Sequence, residues 1–125
     1  MKIGQTAKLV VKTSDTFDVS LVDTIDFVLE TDKDSIHKKY ETDGAVEYKS
    51  DDKEFLIPLS QMDTIDLSQN EPCFMKLEAQ INYADKSVAK TKIVTVKLDY
   101  TLHTKIIADS EPSDNQKVMT DLIID

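Results

Sequence analysis

The chain has 125 residues (14.1 kDa), is 40% hydrophobic and 31% charged, and carries a net charge of −9; that is one domain, long enough to bury a core without staples. Its 24 acidic residues face 15 lysines and no arginine, which argues against a nucleic-acid surface built on clustered cations and removes the bidentate guanidinium fork. No apolar run approaches the roughly 20 residues of a membrane span, residues Met1 to Gln5 lack the apolar segment of a signal peptide, and the lone Cys73 rules out an internal disulfide framework and fits a reducing compartment.

Alternation of apolar and polar residues dominates from the start. Ala7, Leu9 and Val11 alternate with Thr6, Lys8, Val10 and Lys12; Ile25, Phe27 and Leu29 alternate with Thr24, Asp26, Val28 and Glu30. Tyr40, Val46 and Tyr48 predict two short strands joined through Thr42-Asp43-Gly44, with Asp-Gly supplying the positive φ of a tight hairpin. Phe55, Ile57 and Leu59 form the next period-two run, interrupted by Pro58, and Met75, Leu77, Ala79, Ile81 and Tyr83 the one after. Val94, Val96, Leu98, Tyr100 and Leu102 hold one phase, which extends to Ile106. Each is the mark of a strand with one buried face. Turn signals separate them, among them Asp32-Lys33-Asp34-Ser35, Ser50-Asp51-Asp52 and Ala84-Asp85-Lys86-Ser87. The expectation is an all-β antiparallel sandwich of about seven strands over residues 1–108. Its predicted core is Leu9, Val11, Ile25, Phe27, Leu29, Phe55, Ile57, Leu77, Ile81, Val94, Val96 and Leu98, and Lys90, Lys92, Lys97 and Pro58 guard its edges. After the polar break Asp109 to Ser113, Val118/Leu122 and Met119/Ile123 fall at helical spacing, so 109–125 is read as a short helical or disordered tail, capped by Ser113 or Asp114.

The phrases "VDTIDF" at 22–27 and "MDTIDL" at 62–67 match at four of six positions. Two copies with unlike flanks are not a repeat array. The first runs straight into Val28-Leu29-Glu30 and reads as a strand, while the second follows Pro58-Leu59-Ser60-Gln61 and reads as a helical turn crossing between sheets. In both, Ile at position four is a core anchor and Asp and Thr bond locally to backbone. Neither copy is read as a catalytic constellation.

Catalytic, cofactor-binding and metal-ligating residues are expected to be absent. His37 and His103 have no partner at ligand spacing. With only Gly4 and Gly44 there is no phosphate loop or nucleophile elbow. Clustered carboxylates such as Asp32/Asp34 and Asp51/Asp52 can hold calcium, but each cluster is accompanied by a Lys and lacks the EF-hand frame, so solvated turn acids are the favoured reading.

Phe17-Asp18-Val19-Ser20, then "VDTIDFV", "FLIPLSQMDTIDL" at 55–67 and "MKLEAQINYADKSVAKTKIVTVKL" at 75–98 follow one another in an order that resembles small immunoglobulin-like β-sandwich proteins of tailed bacteriophages and prophages. It is also similar to the N-terminal domain of phage baseplate upper proteins. The residues carrying the resemblance are Leu59, Ser60, Gln61 and Thr64, then Glu78, Gln80 and Asn82. The chain departs from that pattern in having Ala84-Asp85-Lys86-Ser87 where a glycine is usual, and in its 101–125 extension. The resemblance implies a non-enzymatic virion or tail component, present in the host cytoplasm during assembly and working through contacts with other phage proteins. The competing expectation is a host-surface or carbohydrate-binding sandwich, against which the absence of Trp speaks. For the end of the chain two readings stand. Leu102, Ile106, Ile107, Val118 and Leu122 pair with a second copy or a partner protein by adding a strand to an edge, or the chain bends and packs on its own domain.

Overall fold

The computed structural model describes residues 1–101, 112 and 116–125. Among them nine strands form: β1 (Ala7–Thr13), β2 (Val22–Glu30), β3 (Ser35–Tyr40), β4 (Glu47–Lys49), β5 (Glu54–Leu59), β6 (Cys73–Tyr83), β7 (Val88–Lys90), β8 (Val94–Leu98) and β9 (Lys117–Ile124). One helix, α1 (Gln61–Ser68), lies between β5 and β6, and a 3-10 turn at Val19–Leu21 leads into β2. The first sheet runs β4-β5-β1-β9; the second runs β3-β2-β6-β7, with β8 also on β6. All pairs are antiparallel except β1–β9, which is parallel. The all-β, two-sheet expectation therefore holds, with nine strands in place of seven.

All twelve residues of the predicted core are buried in one cluster that draws on both sheets. It also takes in Ile3, Val46, Leu59, Leu67, Met75, Ala79, Leu122 and Ile124. Phe55 is its aromatic hub, with ring centroids 5.8 Å from Phe27, 5.0 Å from Tyr40, 4.6 Å from Tyr48 and 5.9 Å from Phe17. These are the offset and edge-to-face separations that aromatic quadrupoles prefer. Because Phe27 and Tyr40 belong to the second sheet and Phe55 and Tyr48 to the first, the rings join the two layers.

Three local expectations change. The strands near Tyr40 and Tyr48 are not a hairpin: β3 pairs with β2, and β4 with β5. Thr42-Asp43-Gly44 is a crossover between sheets. Its left-handed residue is Asp43, φ 63°, and Gly44 is needed for closeness, since a Cβ there would lie 2.6 Å from the Lys39 carbonyl oxygen. The C-terminal segment is a strand, not a helix. Val118 and Leu122 are four apart, a spacing that fits one face of a helix and one face of a strand equally; Thr120 and Ile124 complete the alternation, and β-branched residues favour the extended form. Finally, β8 stops at Leu98, and Lys2 bridges Asp99. The longer run expected through Leu102 to Ile106 lies outside the described residues from 102 onward.

Pro58 sits inside β5 without breaking a ladder bond. Lys8 N–H donates to Gln116 O, so the Lys8 backbone points toward β9 and its register partner Pro58 turns its nitrogen the other way. On that side β4 has already ended, its last pairing being Glu47 with Leu56. The second "DTID" phrase is α1. Ser60 caps it by accepting from Asp63 N–H, and the Asp63 carboxylate accepts from Ser60 N–H in return. Position six, not four, is the fully buried anchor common to both copies: Phe27 and Leu67 are buried, whereas Ile25 is buried and Ile65 only half-buried.

Truncating Phe27 to Ala is expected to cost about 3–5 kcal/mol, because the cavity opens against Phe55 where the sheets meet. An unchanged midpoint in chemical denaturation would reject the assigned core face.

Candidate interaction surface

β9 closes the first sheet, and its two faces differ. Leu122 is 0% exposed and Ile124 is buried beside it, with Val118 packed at the margin of the core. Met119 and Ile123 turn outward, 58% and 54% exposed. Of the sequence-predicted partner residues, Leu122 thus belongs to the chain's own core and Val118 is half-buried against it; Leu102, Ile106 and Ile107 lie outside the described residues. The outward pair Met119 and Ile123 was legible only as part of a helical pattern.

The strand is held by more than its ladder. Thr120 Oγ1 donates to Val10 O at 2.7 Å where the register shifts between Val10 and Lys12, and Thr6 Oγ1 donates to Gln116 Oε1 at 2.9 Å. Lys117 Nζ donates to Glu54 Oε1 at 2.9 Å, with Lys12 Nζ 3.7 Å from the other carboxylate oxygen. Glu54, 5% exposed, is a buried charge with two cations, one from the adjacent β1 and one from β9 beyond it. Alternation sends it outward with Val10 and Leu56, which face each other in the β1–β5 register and are also shut off from solvent. The outer side of the first sheet therefore carries a small apolar patch that period-two reading assigned to solvent.

Opposite β9, the edge of the second sheet is broken. Thr91 N–H donates to Ala79 O and Thr91 Oγ1 accepts from Ala79 N–H, both at 3.0 Å; the hydroxyl replaces a main-chain carbonyl and separates β7 from β8. Between this break and the end of β9 runs a groove of about 460 Å³ lined by Ile81, Tyr83, Ala89, Lys90, Ile123 and Asp125. The lysines expected as edge guards, Lys90, Lys92 and Lys97, are exposed along the β7–β8 side.

The residues that carried the family resemblance divide into two groups. Leu59 is core, Ser60 caps α1, and Thr64 Oγ1 accepts from Gly4 N–H at 2.7 Å while donating to Gln61 O. That group pins the N-terminal segment to the helix. Glu78, Gln80 and Asn82 project from the outer side of β6. There Gln80 Nε2 donates to Asn82 Oδ1 and Asn82 Nδ2 donates to Thr24 Oγ1, each at 3.0 Å. His37 Nδ1 lies 2.9 Å from Asp26 Oδ2 on the same face; His103 lies outside the described residues.

Three turn aspartates spend carboxylate oxygens on neighbouring serines. Asp34 accepts from Ser35 N–H, Asp18 from Ser20 N–H and Oγ, and Asp85 from Ser87 N–H and Oγ. These serine bonds hold Asp18 and Asp85 below the usual carboxylate range, as the Lys53 ammonium holds Asp15 and Lys33 holds Glu71. Burial pushes the half-buried Cys73 thiol up, away from the thiolate that reactive cysteines need. Among the described residues no group of three or more His, Cys, Asp or Glu side chains converges to hold a metal ion, and no helix is long and apolar enough to cross a membrane. Compared with protein-family models, curated proteins and solved structures, the chain matches none.

Two measurements check this assignment. Leu122→Ala is expected to cost about 2–5 kcal/mol and Met119→Ala less than about 0.5 kcal/mol in denaturant unfolding; equal costs would mean that the faces of β9 are misassigned. The second concerns pH. The folded values of Asp15, Asp18, Asp85 and Glu71 lie below their unfolded values, so the stability they lend is complete above about pH 4–4.5 and is lost as pH falls through the folded values. Ser87→Ala should raise the Asp85 midpoint in an NMR titration and leave Asp18 in place; an unmoved Asp85 would contradict the turn bonds.

Proposed function

We propose that this chain is a non-enzymatic structural or tail (baseplate)-associated protein of a bacteriophage or prophage, an immunoglobulin-like sandwich that works through protein–protein contacts in the virion. The observation that carries the contact reading is the outer edge of β9. It presents Met119 and Ile123 to solvent beside the groove lined by Ile81, Tyr83, Lys90 and Asp125. Large exposed apolar side chains on a strand edge suit strand addition by another protein. The phage context rests on the order of the sequence phrases, and the roles of Ser60 and Thr64 support it by giving those residues a scaffold function of the kind a shared fold retains. The protein would then reside in the virion, and in the host cytoplasm during assembly.

A carbohydrate- or host-surface-binding role is the alternative, favoured by the hydrogen-bonded row Gln80, Asn82 and Thr24 on the second sheet's open face. Sugar sites commonly add an aromatic platform, and this chain has no Trp. Density-gradient fractionation of particles from an induced host, probed with antibody to this chain, separates the two. Co-migration with tails or whole particles is the expected result. Antigen confined to the soluble fractions, together with saturable binding on a glycan array, would overturn the virion reading.

A further inference from the structure

Among the described residues the sandwich has four outer strands or strand pairs, and three are defended by shortness or by lysines, the fourth, β9, having only the register shift opposite Val11. β4 and β7 are three residues each, the β7–β8 side carries exposed Lys90, Lys92 and Lys97, and β3 turns Lys38 inward, where its ammonium meets Asp63 at 2.9 Å. Short strands, edge lysines and inward charges all discourage pairing with another chain. β9 is eight residues long, and among the described residues no strand covers its far side.

The hydrogen bonds of β9 say which groups it offers. Gln116 O accepts from Lys8 N–H and Ile124 O accepts from Ser14 N–H, so at both ends of β9 the even-numbered residues aim their backbone groups at β1. In the middle the register shifts, with Thr120 Oγ1 on Val10 O and Leu122 N–H on Thr120 Oγ1, while the alternation of outward and inward side chains runs through unbroken. The odd-numbered residues Lys117, Met119, Asp121 and Ile123 carry the outward side chains, and those at the two ends aim their backbone groups off the sheet. An added strand would pair with those four.

Their order is self-complementary. Laid antiparallel on a second copy about a two-fold axis through Asp121, Lys117 meets the partner's Asp125, and Met119 meets the partner's Ile123; each pairing occurs twice. On the inward side, Val118 meets the partner's Ile124, which lines the groove together with Ile81 and Tyr83. Shifting the axis to Thr120 sets Lys117 against Ile123 and Met119 against Asp121. Shifting it to Met119 leaves Ile123 outside the 117–121 overlap. The axis at Met119 also sets Lys117 against Asp121 and Met119 against itself, but over five residues only. The axis at Asp121 matches apolar with apolar and cation with anion among the outward side chains of the whole strand, apart from Asp121 against itself.

We propose that two copies associate through β9, antiparallel about Asp121, joining their first sheets into one continuous sheet. This deepens the protein-contact reading and rests on it. Lys117 then sits between its own Glu54 and the partner's Asp125. Two features oppose association and keep it reversible: the facing aspartates, and the net charge of −9 on each copy.

Sedimentation equilibrium of the full chain over a concentration series tests the proposal. A reversible dimer that tightens with added salt is expected. Asp121→Asn should tighten it by up to about fivefold, since it removes a directly opposed like-charge pair. Met119→Lys, at an exposed position that leaves the thermal melt unchanged, should abolish it. In a Cys73→Ser background, Asp121→Cys should form a covalent dimer under mild oxidation, because directly opposed residues in a hydrogen-bonded pair lie about 5.5 Å apart at Cα, within disulfide reach; Met119→Cys should not. A chain that stays monomeric at millimolar concentration, or that cross-links through Met119→Cys and not through Asp121→Cys, overturns the proposal. Neither result bears on co-migration with particles, so failure of self-pairing and failure of the virion reading are told apart.

Discussion

The contact on which the rest of this structure depends is the aromatic one at Phe55. Among the described residues no strand of one sheet forms a ladder with a strand of the other, so apart from a few backbone bonds in the connecting segments their relative placement is decided by side chains. Phe55 receives rings from both layers and from the loop before β2. A flat ring can be packed edge-on and face-on at once, which aliphatic side chains cannot do with comparable orientation preference. Around this hub the aliphatic residues fill the remaining space, and each strand's register follows. Phe27 must face Phe55, so Asp26 and Val28 must face out, and a one-residue slip would invert the whole strand.

A second constraint is the burial of Glu54. A carboxylate taken out of water needs partners, and those partners, Lys12 and Lys117, come from β1 and β9. The parallel attachment of β9 to β1, which turns the end of the chain from a tail into a structural strand, is thus tied to a charge on β5. Removing a partner would leave Glu54 stranded, so β9 is bound by an electrostatic requirement as well as by Leu122 and Ile124 in the core. The same strand has one face committed to the fold and one facing solvent, and that asymmetry makes it the surface with most to offer a partner.

The phrase repeated at 22–27 and 62–67 shows how far a local pattern reaches. The same Asp-Thr-Ile-Asp run lies in strand β2 and in helix α1. A serine stands three residues before the first Asp in both copies, Ser20 and Ser60, so the residue alone does not decide. Ser60 caps α1 by a reciprocal bond with Asp63, which also pairs with Lys38. Ser20 instead lies in the 3-10 turn, its N–H and hydroxyl donating to Asp18, and Asp23 passes into β2.

What the sequence by itself determined was the set of strands with one buried face, and through them the core and the two-sheet class. Period-two alternation is a property of the pleat itself, so Leu9, Phe27, Ile57, Leu77 and Val96 could be assigned inward before any neighbour was known. The turn at Ala84-Asp85-Lys86-Ser87 and the helical turn that follows Ser60 were legible for the same reason, being interactions within a few residues. Only the tertiary structure decided which strands pair, that β3 and β4 part company into different sheets, that Val10, Leu56 and Glu54 are covered on the outer side, and that Val118 to Ile124 is a strand. Each depends on a partner distant in the chain. A spacing of four suits helix and strand alike, and for this segment the ladder bonds from β1, more than a hundred residues upstream, tip the balance.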